Sequence, residues 1–394
     1  MVELCGVRYD SLVIHYGEIT LKRSRRGRFE RILWSNLERF TGLPVRRIQG
    51  RFVVDLDPEI DLENLLERVG KVFGVVWYAP AVRASSLDEL QEKLLRILAR
   101  IKPRSLKVEV RRSDKRFPMT SLEVSRKLGY SLSSKLGAGV DLKNPEKRVF
   151  VEITEDGIYA SLVKLKGPGG LPLGSSGKTL GLFSGGVKSA LACWFMMKRG
   201  CKVDLLHVHG MASGGEALEN YLKHNIDKLL EYSLRLRLYL APFKPFLDRV
   251  KEVSTDALLQ LLQAFMLRLG ELIAEKKGYL GLVLGVSIRE PSQVKSLSTV
   301  LSLRRLPVYT PLLALADEEI RRRAETLGFV EITGEDKLDP LEYVRKNSGG
   351  PSGVDLKTLR KLWKRYDVDG LVKHSLESLE IYELRLDQET KKIR

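Results

Sequence analysis

Two hydrophobic periods alternate along the first 165 residues. The runs SLVIHYGEI (11–19) and Phe52 to Leu56 carry the pattern of strands. Between them, Arg25 to Phe40 repeats its apolar residues every three to four positions, with Leu33, Trp34 and Leu37 expected on one helix face. That order predicts a small α+β unit. At Asp61 the pattern restarts: helix DLENLLERVGKVF, strand VVWYAPAVRA, helix LDELQEKLLRILARI, strand SLKVEVRRS, helix SLEVSRKLGYSLSSKLG, and a strand pair, VFVEITEDGIYASLVKLKG, folded at an Asp-Gly turn. A second α+β domain of about a hundred residues accommodates these elements.

Residues 166–178, KGPGGLPLGSSGK, are rich in glycine and proline and separate two patterned regions, as a linker or junction loop does. Beyond them come strand TLGLF, helix KSALACWFMMKR, strand KVDLLHVHG and a helical stretch from Glu216 to Tyr232. Strands are expected again at 237–240, 281–284 and 306–309, with helices between. Strands alternating with helices predict a parallel, doubly wound sheet. The expected divisions are 1–60, 61–165, a linker at 166–178, 179–330, and a charged, mostly helical extension at 331–394.

Charge sharpens the picture. Lys and Arg number 67 against 50 Asp and Glu, a net +17, which favours a polyanionic partner because each neutralised phosphate releases counterions. The excess is segregated. Lys22, Arg23, Arg25, Arg26, Arg28 and Arg31 face one acid, Glu30, within 21–31, and residues 101–150 carry 13 basic against 5 acidic side chains. Any one of these cations is readable as a solvated surface charge; their segregation points to nucleic acid. Apolar runs such as LGLVLGV fall far short of the roughly 18 residues that cross a bilayer, and no charged-then-apolar signal opens the chain. The expectation is a cytoplasmic chain with no membrane partner. Cys5, Cys193 and Cys201 form no CxxC pair, so neither a disulfide framework nor a metal site is expected.

LFSGGVKSALA sets a Ser-Gly-Gly turn between a buried strand and a helix, where free N–H groups and the positive helix end can hold a phosphate. It is neither the GxxxxGK[ST] nor the GxGxxG pattern, and the same turn also occurs with a purely structural role. In this setting SGGVKS is similar to the PP-loop, SGGxDS, of ATP pyrophosphatases. Further phrases narrow the resemblance to the tRNA 4-thiouridine synthetases, or tRNA sulfurtransferases: YGEITLK (16–22), RFPMTSLEV (116–124), DLKNPEKRVFVEI (141–153), GPGGLPLGSSGK (167–178) and LFSGGVKSALACWFMMKRG (182–200).

The resemblance implies a multidomain α+β and α/β chain. An N-terminal ferredoxin-like domain (1–60) and a THUMP RNA-binding domain (61–165) would precede a doubly wound, parallel-sheet PP-loop domain of the adenine nucleotide hydrolase-like kind (179–330). It further implies ATP-dependent transfer of sulfur to a tRNA uridine, position 8 in the family, through adenylation of the C4 oxygen. ATP would lie along Leu182, Phe183, Ser184, Gly185, Gly186, Lys188 and Ser189. His207 and Val208 match the family's adenosine-contacting position, and Arg268 an arginine that the family places in the nucleotide site. Gly285 matches the first glycine of TGExLGQ, and Gln293 its later glutamine once one residue is deleted. On local grounds His207 is equally readable as a core histidine, Arg268 as a partner of Glu271, and Gly285 as a strand-end turn. The tRNA surface is expected from Lys22, Arg23, Arg25, Arg26 and Arg28 together with Arg111, Arg112, Lys115 and Arg116, as one continuous face.

Three departures bear on catalysis. Lys188 stands where the PP-loop has Asp, a cation in place of an acid suited to Mg²⁺, and is expected to aim its ammonium at a phosphate and lower the need for metal. TGExLGQ survives only as LGVSIRE. The sulfur-carrying cysteine expected after LGFVEITGEDKLDP has no counterpart, and no rhodanese domain is found. Cys193 and Cys201 read as buried structural thiols, which leaves the catalytic residues unassigned and calls for an external donor, a persulfide carrier or sulfide. The alternatives are a sulfurtransferase fed from outside, with a role in thiamine thiazole synthesis left open, and a degenerate tRNA-binding THUMP protein. A plain structural protein ranks third. The choice between monomer and homodimer stays open.

Overall fold

The computed structural model describes residues 2–4, 7–211, 213–253, 255–288, 291–331 and 353–394. The chain divides into two compact units, Met1–Leu173 and Gly174–Arg394, so the break falls inside the Gly/Pro-rich stretch.

In the first unit, β1 (Val2–Leu4) and β2 (Val7–Tyr9) form a small antiparallel ribbon, and a nine-stranded sheet carries the rest. Its strands are β3 (Ser11–Tyr16), β4 (Arg46–Ile48), β5 (Arg51–Asp55), β6 (Val75–Ala84), β7 (Ser105–Arg112), β8 (Gly139–Val140), β9 (Lys147–Thr154), β10 (Gly157–Ser161) and β11 (Leu165–Lys166). The order is β4-β5-β3-β6-β10-β9-β7-β8, with β11 also on β6. Strand β6 is common to both halves: Val75–Ala81 pair with β3, and Val82–Ala84 pair with β10.

The helices of this unit are α1 (Arg26–Thr41), α2 (Leu62–Val69), α3 (Leu87–Ile101) and α4 (Ser121–Leu136). They begin where side chains satisfy their free N–H groups. Ser86 accepts from Glu89 N at α3, and Thr120 with Glu123 closes a capping box at α4. Their apolar spacing buries Leu87, Leu90, Leu94 and Leu98 on α3, and Val124, Leu128 and Leu132 on α4. On α1 the buried face is Glu30, Leu33, Asn36, Leu37 and Phe40. Trp34, expected on that face, is 38% exposed, because one residue of helix turns it about 100° away from Leu33.

The second unit holds five parallel strands, β12 (Lys178–Leu182), β13 (Lys202–His209), β14 (Arg235–Pro242), β15 (Leu282–Leu284) and β16 (Val308–Tyr309), in the order β16-β15-β12-β13-β14. The chain runs outward from β12 in both directions, so the order reverses between β12 and β15. That reversal is the topological switch point where open α/β sheets bind ligands.

Helices cover both faces of this sheet. On one lie α5 (Val187–Lys198), α7 (Lys223–Ser233) and α11 (Asp317–Leu327), with α6 (Gly214–Ala217) leading through a π turn at Leu218–Leu222 into α7. On the other, α9 (Thr255–Lys277) packs with α8 (Lys244–Arg249), α10 (Pro291–Leu301), α12 (Leu356–Arg365) and α13 (Val368–Glu377). The core there gathers Leu182, Leu206, Tyr239, Phe246, Phe265 and Leu282. Helix α9 has a longer apolar stretch than the sequence runs suggested: within Ala257–Lys277, 18 consecutive residues average a hydropathy of 1.4, and 72% of those are buried inside the fold, as a core helix requires.

The extension is only partly helical. After α13, β17 (Glu380–Arg385) joins β14 antiparallel, and β18 (Lys391–Lys392) pairs with β17. Ile381, Tyr382 and Leu384 are buried and the charges that masked this strand alternate with them, while the edge strand β18 is a pair of exposed lysines, where charge discourages further pairing. Residues 332–352, including most of the segment after which a carrier cysteine was sought, lie outside the described residues, as does Cys5.

At the buried Gly181 of β12, an added Cβ would collide with Cys193 Sγ on α5. Gly181→Ala should therefore lower unfolding free energy by about 1–3 kcal/mol. Adding Cys193→Ala should recover part of that loss in a double-mutant cycle measured by urea denaturation, and additive losses would show that the two sites do not touch.

Candidate functional site

The loop after β12 lies at the switch point. Phe183 is buried and tied by its N–H to Leu206 O at 2.8 Å, so the chain turns immediately after it. Gly185 adopts a φ of 86°, and Gly186 caps α5 in extended conformation with no side chain bonded to the helix end. The first-turn N–H groups of α5 thus lack a side-chain cap.

Inside the loop, Ser184 N donates to Ser189 Oγ at 3.2 Å, and Ser189 Oγ donates to Gly186 O at 2.8 Å. Asn225 of α7 fixes the loop from behind, donating to Gly185 O at 2.7 Å and Val330 O at 2.9 Å and accepting from Val330 N. Gly285, at the end of β15, closes the other wall. A Cβ there would lie 2.5 Å from Ser189 N and Cα and 2.6 Å from Lys188 C, so only glycine lets β15 abut the first turn of α5. Ser184, Gly185, Gly186, Ser189 and Gly285 are thereby gathered around one helix end.

The other expected nucleotide residues separate. His207 is fully buried, with Nδ1 bonded to Phe183 O at 2.7 Å and Nε2 to Tyr221 OH at 2.7 Å. Because a carbonyl only accepts, Nδ1 donates there and Nε2 accepts from the tyrosine. Burial pushes its pKa down to about 3, the Phe183 carbonyl opposing. It is a neutral strut between β12, β13 and the π turn, and with Val208 buried beside it neither side chain is open to a ligand. Gln293 lies in the first turn of α10, half-buried.

Arg268 does not face the loop. Gly270, two residues on, presses against Leu182 and Leu282, and a 200° rotation puts Arg268 on the far side of α9, bonded to Glu271 at 3.3 Å and 3.8 Å from Asp369.

Lys188 also departs from expectation. Its Nζ pairs with Asp317 Oδ1 of α11 at 2.8 Å and donates to Ser287 Oγ in the irregular segment after β15, with Ser287 Oγ 3.2 Å from the same carboxylate. The acid absent from position 188 is supplied by Asp317 at the start of another helix, and the ammonium points sideways to it. Glu331 is a second carboxylate at the rim, its Oε2 3.7 Å from where a Cβ on Gly186 would stand. Among the described residues no three His, Cys, Asp or Glu side chains gather as a metal site. Asn225, Tyr221, Ser287, Asp317 and Glu331 went unnoticed in the sequence. Of these only Asn225, a buried amide on a helix, carried a signal that could have been read.

Neither described cysteine has thiolate character. Burial drives the Cys193 thiol up to about 12, and Cys201, also buried, is raised for the same reason.

In the first unit, strand alternation splits the expected basic face. Arg26 donates to Glu30 at 2.7 Å and to Tyr16 OH at 2.8 Å, and Arg47 also holds Glu30 at 2.6 Å; these charges anchor α1 to its side of the sheet. Lys22 lies over the Phe29 ring at 5.7 Å, Arg25 and Arg28 are exposed, and the Arg23 side chain lies outside the described residues.

Arg111 belongs to the opposite face, with His15, the residue before Tyr16. There His15 stacks on Trp77 at 3.7 Å and bonds Glu152 at 2.9 Å, and Arg51 pairs with Glu152. Lys164 stands 4.6 Å over Trp77 and 3.9 Å over Phe150. Burial would raise the Glu152 pKa, but His15 and Arg51 hold it below the ordinary range. Arg112 is structural, donating to Phe117 O at 3.0 Å and Met119 O at 2.9 Å. Arg116 pairs with Asp114, and Lys115 is exposed.

Family models match along nearly the whole chain: a ThiI ferredoxin-like domain over 11–79, a THUMP domain over 84–163, and the thiamine biosynthesis protein ThiI over 174–348. A probable tRNA sulfurtransferase of Brevibacillus brevis is 33% identical over 325 residues, 80% of this chain and 81% of the relative. Another from Moorella thermoacetica is 32% identical over 387 residues, 95% and 97% of the two chains. The chain belongs to the tRNA sulfurtransferase family. Among solved structures, a 4-thiouridine synthetase–RNA complex with bound ATP superposes with a TM-score of 0.82 at 25% identity, over 96% of this chain and all of that one. The Pyrococcus horikoshii protein PH1313 follows at 0.63 and 28%, over 81% of this chain. At position 188, where the sequence resemblance leads one to expect an acid, the chain carries a lysine paired across helices with Asp317.

His207 gives the second unit an acid limit. Its pKa is about 3 when folded and near 6.5 when unfolded, so between those values the unfolded state binds more protons and stability falls as pH falls. Lowering pH from 6.5 to about 5 should cost about 2 kcal/mol from this group, and His207→Gln should flatten that limb of the stability profile. An unchanged slope would mean that the proton goes elsewhere.

Proposed function

We propose that the chain is an ATP-dependent tRNA sulfurtransferase that converts a tRNA uridine, at position 8, to 4-thiouridine. The observation that carries this reading is the open N-terminus of α5, walled by Gly285 at the switch point, in a chain that aligns end to end with a synthetase bound to ATP and RNA.

ATP enters as substrate, its phosphates received by the N–H groups of Gly186 to Ser189 and by Ser184. The uridine O4 attacks the α-phosphorus and pyrophosphate leaves, which turns a poor leaving group into a good one. Sulfur then bonds C4, and the former O4 departs within AMP. Helix-end donors suit this step because they face the charge that grows on the departing pyrophosphate. Lys188 serves this site as a strut to Asp317 and Ser287. Any Mg²⁺ requirement belongs to the nucleotide, since Mg²⁺ takes most of its ligands from phosphate and water.

The sulfur comes from external sulfide, or from an external persulfide whose terminal sulfur bonds C4 and whose S–S bond is then cleaved by a donor-side thiol that leaves as a disulfide, in keeping with the raised thiols of Cys193 and Cys201. The family's thiamine connection makes thiazole synthesis a second destination for that sulfur. For RNA, the reading uses the sheet face of Arg111, Lys164 and Trp77, where cations and an aromatic surface suit backbone and base.

Full-length protein, an unmodified tRNA transcript, ATP, Mg²⁺ and sulfide should yield 4-thiouridine and pyrophosphate in equal amounts, with neither product when ATP is omitted. Binding of tRNA without pyrophosphate release would instead favour the degenerate RNA-binding reading. Arg111→Ala with Lys115→Ala should weaken tRNA binding and reduce the salt slope by roughly one to two. Arg112→Ala should act chiefly by loosening the 113–120 loop, seen as a lower Tm. Equal salt slopes for the wild type and the Arg111, Lys115 variant would remove those side chains from the interface.

A further inference from the structure

The charged extension, whose role the sequence left unassigned, lines a cationic cavity in the second unit. Helix α12, LKTLRKLWKR, contains no acidic residue. It is amphipathic in an unusual way: Leu359, Leu362 and Tyr366 join the core, while Lys357, Arg360, Lys361 and Lys364 repeat at i, i+3, i+4 and i+7 along one stripe. That stripe lines a cavity of about 680 Å³, the size of a nucleotide site.

The facing wall is also cationic, with Arg268 of α9 and the pair Arg304 and Arg305 after α10. Against these seven cations the lining holds one acid, Asp369, and Asp369 is already engaged, accepting from Trp363 Nε1 at 2.9 Å and lying near Arg268. The bond to Trp363 holds its indole in the lining. Behind the wall, the fully buried Glu271 is shared among Arg268, Arg304 and the N–H groups of Arg305 and Leu306, so it neutralises at most one of the two arginines. The Arg304 side chain is only 5% exposed, yet its Nε has no partner among the described residues. A stripe of four cations facing three guanidinium groups, with one carboxylate in the lining that is already engaged, is an arrangement suited to an oxyanion.

We propose that this cavity binds backbone phosphate of the tRNA substrate, with Trp363 offered to an adjoining base, so that the second unit grips RNA by itself. The proposal rests on the sulfurtransferase reading. Phosphodiester oxygens match guanidinium and ammonium donors, and cations interleaved with an aromatic ring are the chemistry of single-stranded RNA contacts.

The test compares the wild-type chain with a variant carrying Lys357→Gln, Arg360→Gln, Lys361→Gln and Lys364→Gln. A second variant, Lys357→Arg with Lys361→Arg and Lys364→Arg, keeps the charge. Far-ultraviolet circular dichroism and melting establish that each folds. tRNA affinity is then measured across a salt series, with inorganic tripolyphosphate titrated separately. The glutamine variant should bind tRNA at least about tenfold more weakly at physiological salt, with a salt slope shallower by roughly two to four, and the arginine variant should bind as the wild type does. Wild-type and glutamine chains with the same affinity and slope would overturn the proposal and leave the sulfurtransferase reading standing. Failure of the wild-type chain to bind tRNA at all would overturn both. Tripolyphosphate binding lost in the glutamine variant, with tRNA affinity unchanged, would replace RNA by a free polyphosphate as the ligand.

Discussion

The contact between Gly285 and the first turn of α5 is the constraint on which the proposed nucleotide site depends. Two parallel strands, β12 and β15, diverge in connection at the switch point, and the crevice there is usable only if β15 ends close against the helix that follows β12. The missing Cβ allows backbone to meet backbone at Ser189. Everything else at the site holds that contact in register. Asn225 ties the loop from α7, His207 ties β13 to Phe183, and the Lys188–Asp317–Ser287 cluster joins α5 to α11 and to the chain beyond β15.

Charge is distributed in the same economical way. Lys188, in the first turn of α5, is paired with an acid from another helix, so its charge is spent on holding α5 to α11 and the helix end itself is left to face an anion. In the first unit the basic residues divide into those that anchor elements, such as Arg26, Arg51 and Arg112, and those that stay outward, such as Arg111 and Lys115. In the second unit the same division separates Arg304, held beside Glu271, from the α12 stripe. A net charge of +17 is therefore no uniform coating. Part of it is structural, and the remainder collects on surfaces suited to phosphate.

Much of the fold was legible because its elements carry strong periods. Strand β6 and helix α3 fall where their patterns predicted, and the alternation of strands and helices after residue 178 announced the parallel sheet. The turn itself was legible, a Ser-Gly-Gly break between a buried strand and a helix with Gly185 at a φ of 86°, although such a turn also serves purely structural ends. What failed was direction. Arg268 was read from its place in a helical phrase, yet which way it points depends on Gly270, whose packing only the fold reveals. Lys188 was read from the loop alone, and its partner lies 129 residues away. Trp34 and the strand β17 were misread for a shared reason: one apolar or charged side chain weighs heavily in a short window, while burial is decided by neighbours remote in sequence.

The central claim is that the N–H groups opening α5 receive the nucleotide's phosphates. Amide hydrogen exchange of the full-length chain, with and without ATP, addresses it directly. Added ATP should slow exchange at Gly185 through Ser189 and leave the amides of the first unit unchanged. Protection confined to other segments, with the loop exchanging at its nucleotide-free rate, would contradict it.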